Sequence, residues 1–407
     1  MKNQTEDTAQ SLPLNLPLTL PLTLPLTGIR VIDFSQVMMG PVCTQTLADF
    51  GADVIKIERE HAGDLSRSSF KQIAGADNPI FCSLNRNKRS LAVDLRDPEQ
   101  MQLVKKLIAD ADVVVNNFRS GVMERLGLGY DHCLKLNPAI IYAVGTGYGE
   151  TGPHAHKGGQ DFLAQALSGV MMRKADPSLP TSLYPVSPAD YAAGMHMVQG
   201  ILLALIHRTN TGEGQKVNVS LYDSMLAMQM QEAAMVMMTG SEVNWAAMPL
   251  CGVFETQDGP IVMVGAFKEN PLRNICAALG LPDLSADPKF CNLTEQFKNK
   301  PELQGIFRES FLGGTKAHWL ARLEEQDILC APVRTMREAL ADPQTSENQM
   351  ILEGPGEGQA LKLISSPVHL SRSPVSLRIP PPRLGQHTEE VTAEVHARSL
   401  SNQLLPG

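Results

Sequence analysis

From Gly28 onward, short runs rich in valine and isoleucine alternate with stretches of helical periodicity. No other feature restricts the fold as much. "IRVIDFS" (29–35), "DVIKIER" (53–59), "SLAVDL" (90–95), "DVVVNNF" (112–118) and "AIIYAVGT" (139–146) read as strands. "VCTQTLADFGA" (42–52) and "PEQMQLVKKLIADA" (98–111) read as helices between them. Parallel strands need a crossover and bury both faces, so this alternation predicts a parallel sheet covered on each side. The fold class is α/β, with a large doubly wound, Rossmann-like domain.

The later chain is more mixed. An apolar run (192–206) closes at His207-Arg208, and "TNTGEGQ" (209–215) breaks it. A strand, "KVNVSL" (216–221), and a methionine-rich helix (222–238) follow. At helical spacing such methionines are expected to fill a core. "CGVFETQDGPIVMVGA" (251–266) predicts a hairpin turning at Gln257-Asp258-Gly259. The Pro-rich stretch 376–390 reads as a surface wrap ending in a short helix. The expected division is a leader (1–27), a large domain (28–224), a smaller α+β insertion (225–332) and a C-terminal return (333–407).

The leader, "LPLNLPLTLPLTLPLT" (12–27), has proline about every fourth residue, which forbids a helical signal segment. A disordered or polyproline-like tail is expected. No uncharged apolar stretch approaches about 20 residues, so no membrane span is expected. Seven scattered cysteines without a C-x-x-C pair read as reduced thiols, and the chain is expected to be soluble and cytoplasmic. The net charge of −8 argues against a nucleic-acid partner.

Familiar cofactor motifs fail. "GTGYGETG" (145–152) follows a strand, but the third fingerprint glycine falls on Glu150. There is no phosphate-binding G-x-x-x-x-G-K-[ST] loop and no G-x-S-x-G elbow. His154 and His156 lack a matching ligand set, so no metal site is read there. Arg59, Arg67, Arg86, Lys88, Arg89, Arg96, Arg119 and Arg125 fall near predicted strand ends. In a doubly wound sheet such ends converge on one crevice, where arginines suit phosphates. Asp190 opens the apolar run, where an acid commonly caps a helix.

The ordered segments "GIRVIDFSQVMMGPVCTQTLADFGADVIKIERE", "NRNKRSLAVDL", "DVVVNNFRSGVMERLGL", "NPAIIYAVGTGYGETGP", "QDFLAQALSG", "ADYAAGMH", "GEGQKVNVSL" and "LGQHTEEV" resemble the class III CoA-transferase family. That family includes formyl-CoA and carnitine CoA-transferases, with α-methylacyl-CoA racemases as relatives. The resemblance covers about residues 28–392. It implies that Asp190 is a nucleophile that forms an aspartyl anhydride and then an aspartyl-CoA thioester. At a helix start its carboxyl is expected to stay low in pKa and ionised at pH 7. Asp161 matches a glutamate beside the nucleophile. Met38 and Met39 match a CoA-contacting turn, although formyl-CoA transferases carry Gln at the Met38 position. Arg59 matches the adenosine-diphosphate side of CoA. Val93, Asp94, Leu95, Arg96, then Asn117, Phe118, Arg119 and Arg125 match further CoA-binding segments. Lys157, Gly158, Gly159 and Gln160 match the segment beside the acyl end.

The resemblance also implies an interlocked homodimer, CoA and acyl-CoA as substrates, a small carboxylic acid as acceptor, and no permanently bound cofactor. Residues 240–265 lack the glycine run that closes over formyl-CoA transferase sites. Racemases need two acid/base groups and place a His where this chain has Gln160, which exchanges no proton near neutral pH. CoA transfer is therefore the leading expectation. Racemisation and non-catalytic CoA binding are its rivals.

Overall fold

The computed structural model describes residues 23–69, 78–176, 178–355 and 360–404. Six parallel strands form the main sheet: β1 (Arg30–Asp33), β2 (Asp53–Arg59), β3 (Lys88–Val93), β4 (Val113–Asn116), β5 (Ile141–Thr146) and β6 (Lys216–Ser220). Their order is β3-β2-β1-β4-β5-β6. The winding reverses between β1 and β4, which opens a crevice at the carboxyl ends of those two strands. Val31, Ile32, Ile55, Val113 and Val114 are fully enclosed, as expected for strands covered on both faces.

One layer is led by helices Met39–Asp49 and Pro188–Thr211, which pack on each other. Gly194 permits that approach, since a β-carbon there would sit 2.3 Å from Val42 Cγ1 and 2.7 Å from the Met39 carbonyl oxygen. The other layer includes helices Pro98–Ala109 and Thr388–Leu404, with Val104, Leu107, Val391 and Val395 in one core. The Pro-rich stretch runs beside edge strand β3. Asn87 N–H donates to the Ile379 carbonyl, and Gly385 N–H donates to Ser90 Oγ. Polar groups that an edge strand would leave open are thus engaged. The helix that follows has 17 residues rather than the expected short one.

A second sheet holds the predicted hairpin, β7 (Cys251–Thr256) and β8 (Gly259–Val264), with β9 (Leu329–Pro332) antiparallel to it. Its own core gathers Phe254, Phe307, Phe311 and Trp319. A third, two-stranded sheet pairs β10 (Ile351–Gly354) with β11 (Leu361–Ile364).

Two expectations change. Residues 1–22 of the leader lie outside the described residues, but Leu24 and Leu26 are buried, and Leu26 N–H donates to the Phe50 carbonyl. Helix Pro188–Thr211, with 24 residues, is long and apolar enough by length and composition to cross a membrane, although Asp190 and Arg208 leave it no uncharged stretch of about 20 residues. It packs on β5 and β6 and buries Ala193, Met197 and Ile201. The methionine-rich segment is two helices, Leu221–Met228 and Met230–Thr239, broken at Gln229. Only Met225 of its six methionines is buried, and Met238 is 84% exposed. The core-filling reading therefore fails for this chain taken singly.

Candidate active site

The turn after β1 and the segment after β4 meet at the reversal point. Asn117 joins them with both ends of its amide. Gln36 N–H donates to Asn117 Oδ1, and Asn117 Nδ2 donates back to the Gln36 carbonyl, each at 2.8 Å. Val37 takes a left-handed backbone with φ of 68°, costly for a β-branched residue, and its N–H donates to Asp64 Oδ1 at 3.1 Å. Met38 follows as the N-cap of helix Met39–Asp49. Met39 itself is buried, with its thioether beside Gly145, so its side chain belongs to the core.

Beneath the turn lies a buried set of charges. Lys56 Nζ donates to the Ser35 carbonyl at 2.7 Å and pairs with Asp64 at 2.8 Å. Lys88 Nζ reaches Asp33 at 3.2 Å and donates to Thr44 Oγ1 at 2.7 Å. Burial opposes ionisation of Asp64, but Lys56 and the Ser66 and Val37 N–H groups outweigh it and hold the carboxyl at about 2. Burial pushes the Lys88 ammonium down to about 8 against the pull of Asp33. These groups hold the turn from inside, because a buried charge is tolerated only with partners on every side.

The basic residues divide into two groups. Arg59 is exposed at the end of β2, and Asp94, Leu95 and Arg96 follow β3, whose last residue, Val93, is buried. Arg96 forms a fork with Asp94 (Nη2 to Oδ2 2.8 Å) and stays outside. Arg89 stands at the opposite, amino-terminal end of β3. It binds Asp53 through two nitrogens and reaches Glu390 at 2.8 Å and Glu394 at 2.6 Å. Arg86 is sealed against Asp49, and Arg67 against Glu58. The expected convergence of all these cations on one crevice is corrected: Arg67, Arg86, Lys88 and Arg89 are structural ion pairs. The acids that pair with Arg86, Lys88 and Arg89 come from distant parts of the chain.

A second cluster forms behind β5. Gly147 and Gly159 lie back to back: a β-carbon on Gly147 would sit 2.4 Å from Gly159 Cα. Arg119, after β4, rests on Gly158, where a β-carbon would come 2.6 Å from its Nη2. Phe118 packs against the core, and Arg125 lies near Gly121. The contact at Gly147 fixes the segment Lys157–Gln160 and the start of helix Asp161–Leu167, of which Gln160 is the exposed N-cap.

Asp161 is buried, and its Oδ2 accepts from the Asp190 N–H at 3.0 Å. The cap of the long helix is Ser187, without a side-chain bond, and Pro188 follows it. Asp190 is therefore no N-cap; it sits in the first turn of that helix, beside Asp161. Burial first, then the Asp161 charge, pushes the half-buried Asp190 carboxyl up to about 7. The expected low value is overturned, because desolvation and a neighbouring acid outweigh the favourable helix start. Sequence reading also missed Gln165. Its signal was available: it lies four residues after Asp161 in a helix, on the same face.

Residues 26–388 match CoA-transferase family III. An acyl-CoA transferase of Fusarium pseudograminearum is 36% identical over 91% of this chain and 84% of its own length. The chain belongs to CoA-transferase family III. A succinyl-CoA:glutarate CoA-transferase of Mus musculus is 34% identical over 90% of this chain and 86% of that protein. A formyl-CoA:oxalate CoA-transferase of Escherichia coli O157:H7 is 30% identical over 90% of this chain and 95% of that protein. The crystal structure of a CAIB/BAIF family protein from Brucella suis superposes with a TM-score of 0.82 at 29% identity, covering 92% of this chain and all (100%) of that one. This family III enzyme thus uses an acyl-CoA and a carboxylic acid as its substrate classes.

Proposed function

We propose that this transferase carries CoA from donor to acceptor through covalent attachment to Asp190. The single observation behind the reading is the Asp190 carboxyl, half-buried beside Asp161 and pushed up to about 7. A carboxylate that is poorly solvated is basic and ready to attack a thioester carbonyl. In the first step an Asp190 oxygen bonds to the donor acyl carbon, and the C–S bond breaks to release CoA thiolate. The thiolate then attacks the Asp190 carbonyl carbon, forming aspartyl-CoA thioester and expelling the donor acid as carboxylate. The acceptor carboxylate attacks that thioester and frees the thiolate, which takes the acceptor acyl group and regenerates the Asp190 carboxylate. No net proton is exchanged, and one thioester is consumed and one formed over the whole reaction.

Met38, Arg59, Arg96, Asn117 and Arg119 are the proposed CoA contacts, with Lys157–Gln160 beside the acyl group. The named acceptors of the mouse and E. coli relatives, glutarate and oxalate, are dicarboxylic acids, so a short dicarboxylate is the proposed acceptor here. Gln160 offers no acid/base pair for racemisation.

The same reading includes a cytoplasmic homodimer, built on 28–224 with 333–407 as one unit and 225–332 as another. Leu203 and Ile206 on helix Pro188–Thr211, with Met230, Met237 and Met238 on helix Met230–Thr239, leave large apolar side chains open, which supports burial against a second copy. Light scattering of the purified protein tests it.

The test of function is a panel of acyl-CoA donors against mono- and dicarboxylic acids, run with wild type and Asp190→Ala. Transfer to dicarboxylates is expected, with turnover in Asp190→Ala reduced by several orders of magnitude and its fold intact. Borohydride added during turnover should reduce an aspartyl thioester at Asp190, visible by mass spectrometry. An active Asp190→Ala protein refutes the mechanism.

A further inference from the structure

We propose that Gln165 is a positioning residue for the transfer reaction: its buried amide clamps Asp161 under Asp190 and ties the approach segment 184–186 to the same point. The proposal rests on Asp190 being the nucleophile.

Gln165 is fully enclosed, so each of its polar atoms needs a protein partner. Its Nε2 donates to Asp161 Oδ1 at 2.6 Å and lies 3.4 Å from the carbonyl oxygens of Tyr184 and Val186. Its Oε1 accepts the Tyr184 N–H at 3.0 Å. One amide therefore joins a helix residue to the irregular stretch that leads into the Asp190 helix. Tyr184 and Val186 are themselves exposed, so packing does little to fix their backbone.

The other oxygen of Asp161 carries the second half of the clamp. It accepts the Asp190 N–H, a donor that the start of a helix leaves without an internal partner. Ser187 offers no cap, and Pro188 has no N–H to hold. The order of support is then Gln165 to Asp161 to the Asp190 backbone. Without the Gln165 donor, Asp161 is a buried acid with one bond fewer, and its carboxylate turns toward other partners. That change releases the helix start and removes a negative charge from beside the nucleophile.

That charge is selective. The elements packed on the long helix also bring Cys43, Asp49, Tyr142, Lys216, Tyr222 and Asp223, yet Asp161 is the charged group that acts on the Asp190 carboxyl. His196, farther along the same helix, is engaged by Ser224 Oγ at 3.0 Å. Asp49 and Lys216 are paired with Arg86 and Glu150.

The experiment compares wild type, Gln165→Leu and Gln165→Met on the full-length enzyme, with Asp190→Ala as reference. Two apolar shapes are used so that a packing failure in one is separated from loss of the amide. Both variants should lose about tenfold to a hundredfold in kcat, as small misplacements of reacting groups do, with KM for acyl-CoA changed less than about threefold. The acid limb of kcat/KM should move to lower pH in both, because Asp161 no longer presents its charge. Wild-type kcat together with an unmoved acid limb in the folded variants overturns the proposal. So does a fall in kcat that merely tracks loss of folded protein. If Asp190→Ala is active, the nucleophile assignment has failed instead, and the two failures are told apart by that variant alone.

Discussion

Asp190→Asn should make the protein more stable at neutral pH while removing its activity. The wild-type carboxyl is raised from 3.8 to about 7 by burial and by Asp161, so its ionised form is disfavoured in the fold. That difference corresponds to about 4 kcal/mol if fully expressed. Asp190 is only half-buried, and solvent screening reduces the figure to about 2 kcal/mol. The direction follows from proton counting. Between pH 3.8 and about 7 the folded state keeps a proton that the unfolded chain has lost, so wild-type stability falls as pH rises through this window. Above about 7 both states are ionised and the loss is complete. Asn has the same shape and carries no charge. The stability difference between variant and wild type should therefore open across that window and then level off. Urea unfolding of both proteins at pH 5, 6, 7 and 8 reads it directly. A difference that does not change with pH refutes the reasoning, as does an Asn variant less stable than wild type at pH 8.

Arg89→Ala should lower stability by about 1 kcal/mol, because Asp53 keeps Arg30 as a partner while the C-terminal helix loses its tie through Glu390 and Glu394. CoA affinity measured by calorimetry should stay unchanged, and a tenfold loss would return Arg89 to the ligand crevice. Gly147→Ala should reduce turnover far more than thermal stability, since its methyl would press Gly159 and displace the segment that leads to Asp161. Full activity in that variant would show that the two backbones separate at no cost to the site.

The sheet was legible because its signal is local. Each strand's apolar run and each intervening helix reports its own burial, and parallel pairing follows from the crossover lengths. What could not be read was which charges neutralise one another. Arg89 and Arg59 look alike beside their strands, yet Arg89 meets acids 36, 301 and 305 residues away. A cation's chemical meaning depends on those partners, so reading strand ends alone assigned too many arginines to phosphate. The methionines fail in a related way. An apolar helical face looks the same whether it will meet its own core or a surface left open on a single chain.

The same distinction runs through the site. The helix start beneath Asp190 was visible, and by itself it favours a low carboxyl pKa. Burial first, and then the charge of Asp161, 29 residues earlier, reverse the outcome once the fold encloses the Asp190 carboxyl and brings Asp161 to its N–H. The glycines of "GTGYGETG" were likewise visible as a cluster that failed as a nucleotide fingerprint. Gly147 owes its identity to something else, the near-contact with Gly159, and no pattern within either segment announces it. Gln165 lies between these cases. Its spacing from Asp161 marks a shared helix face, but the same spacing on a solvated face has no consequence. Full burial turns it into a requirement, because an enclosed amide must find partners, and those it finds are the acid under the nucleophile and the chain leading to it. A side chain that never touches substrate thereby becomes part of how the reacting carboxyl is held.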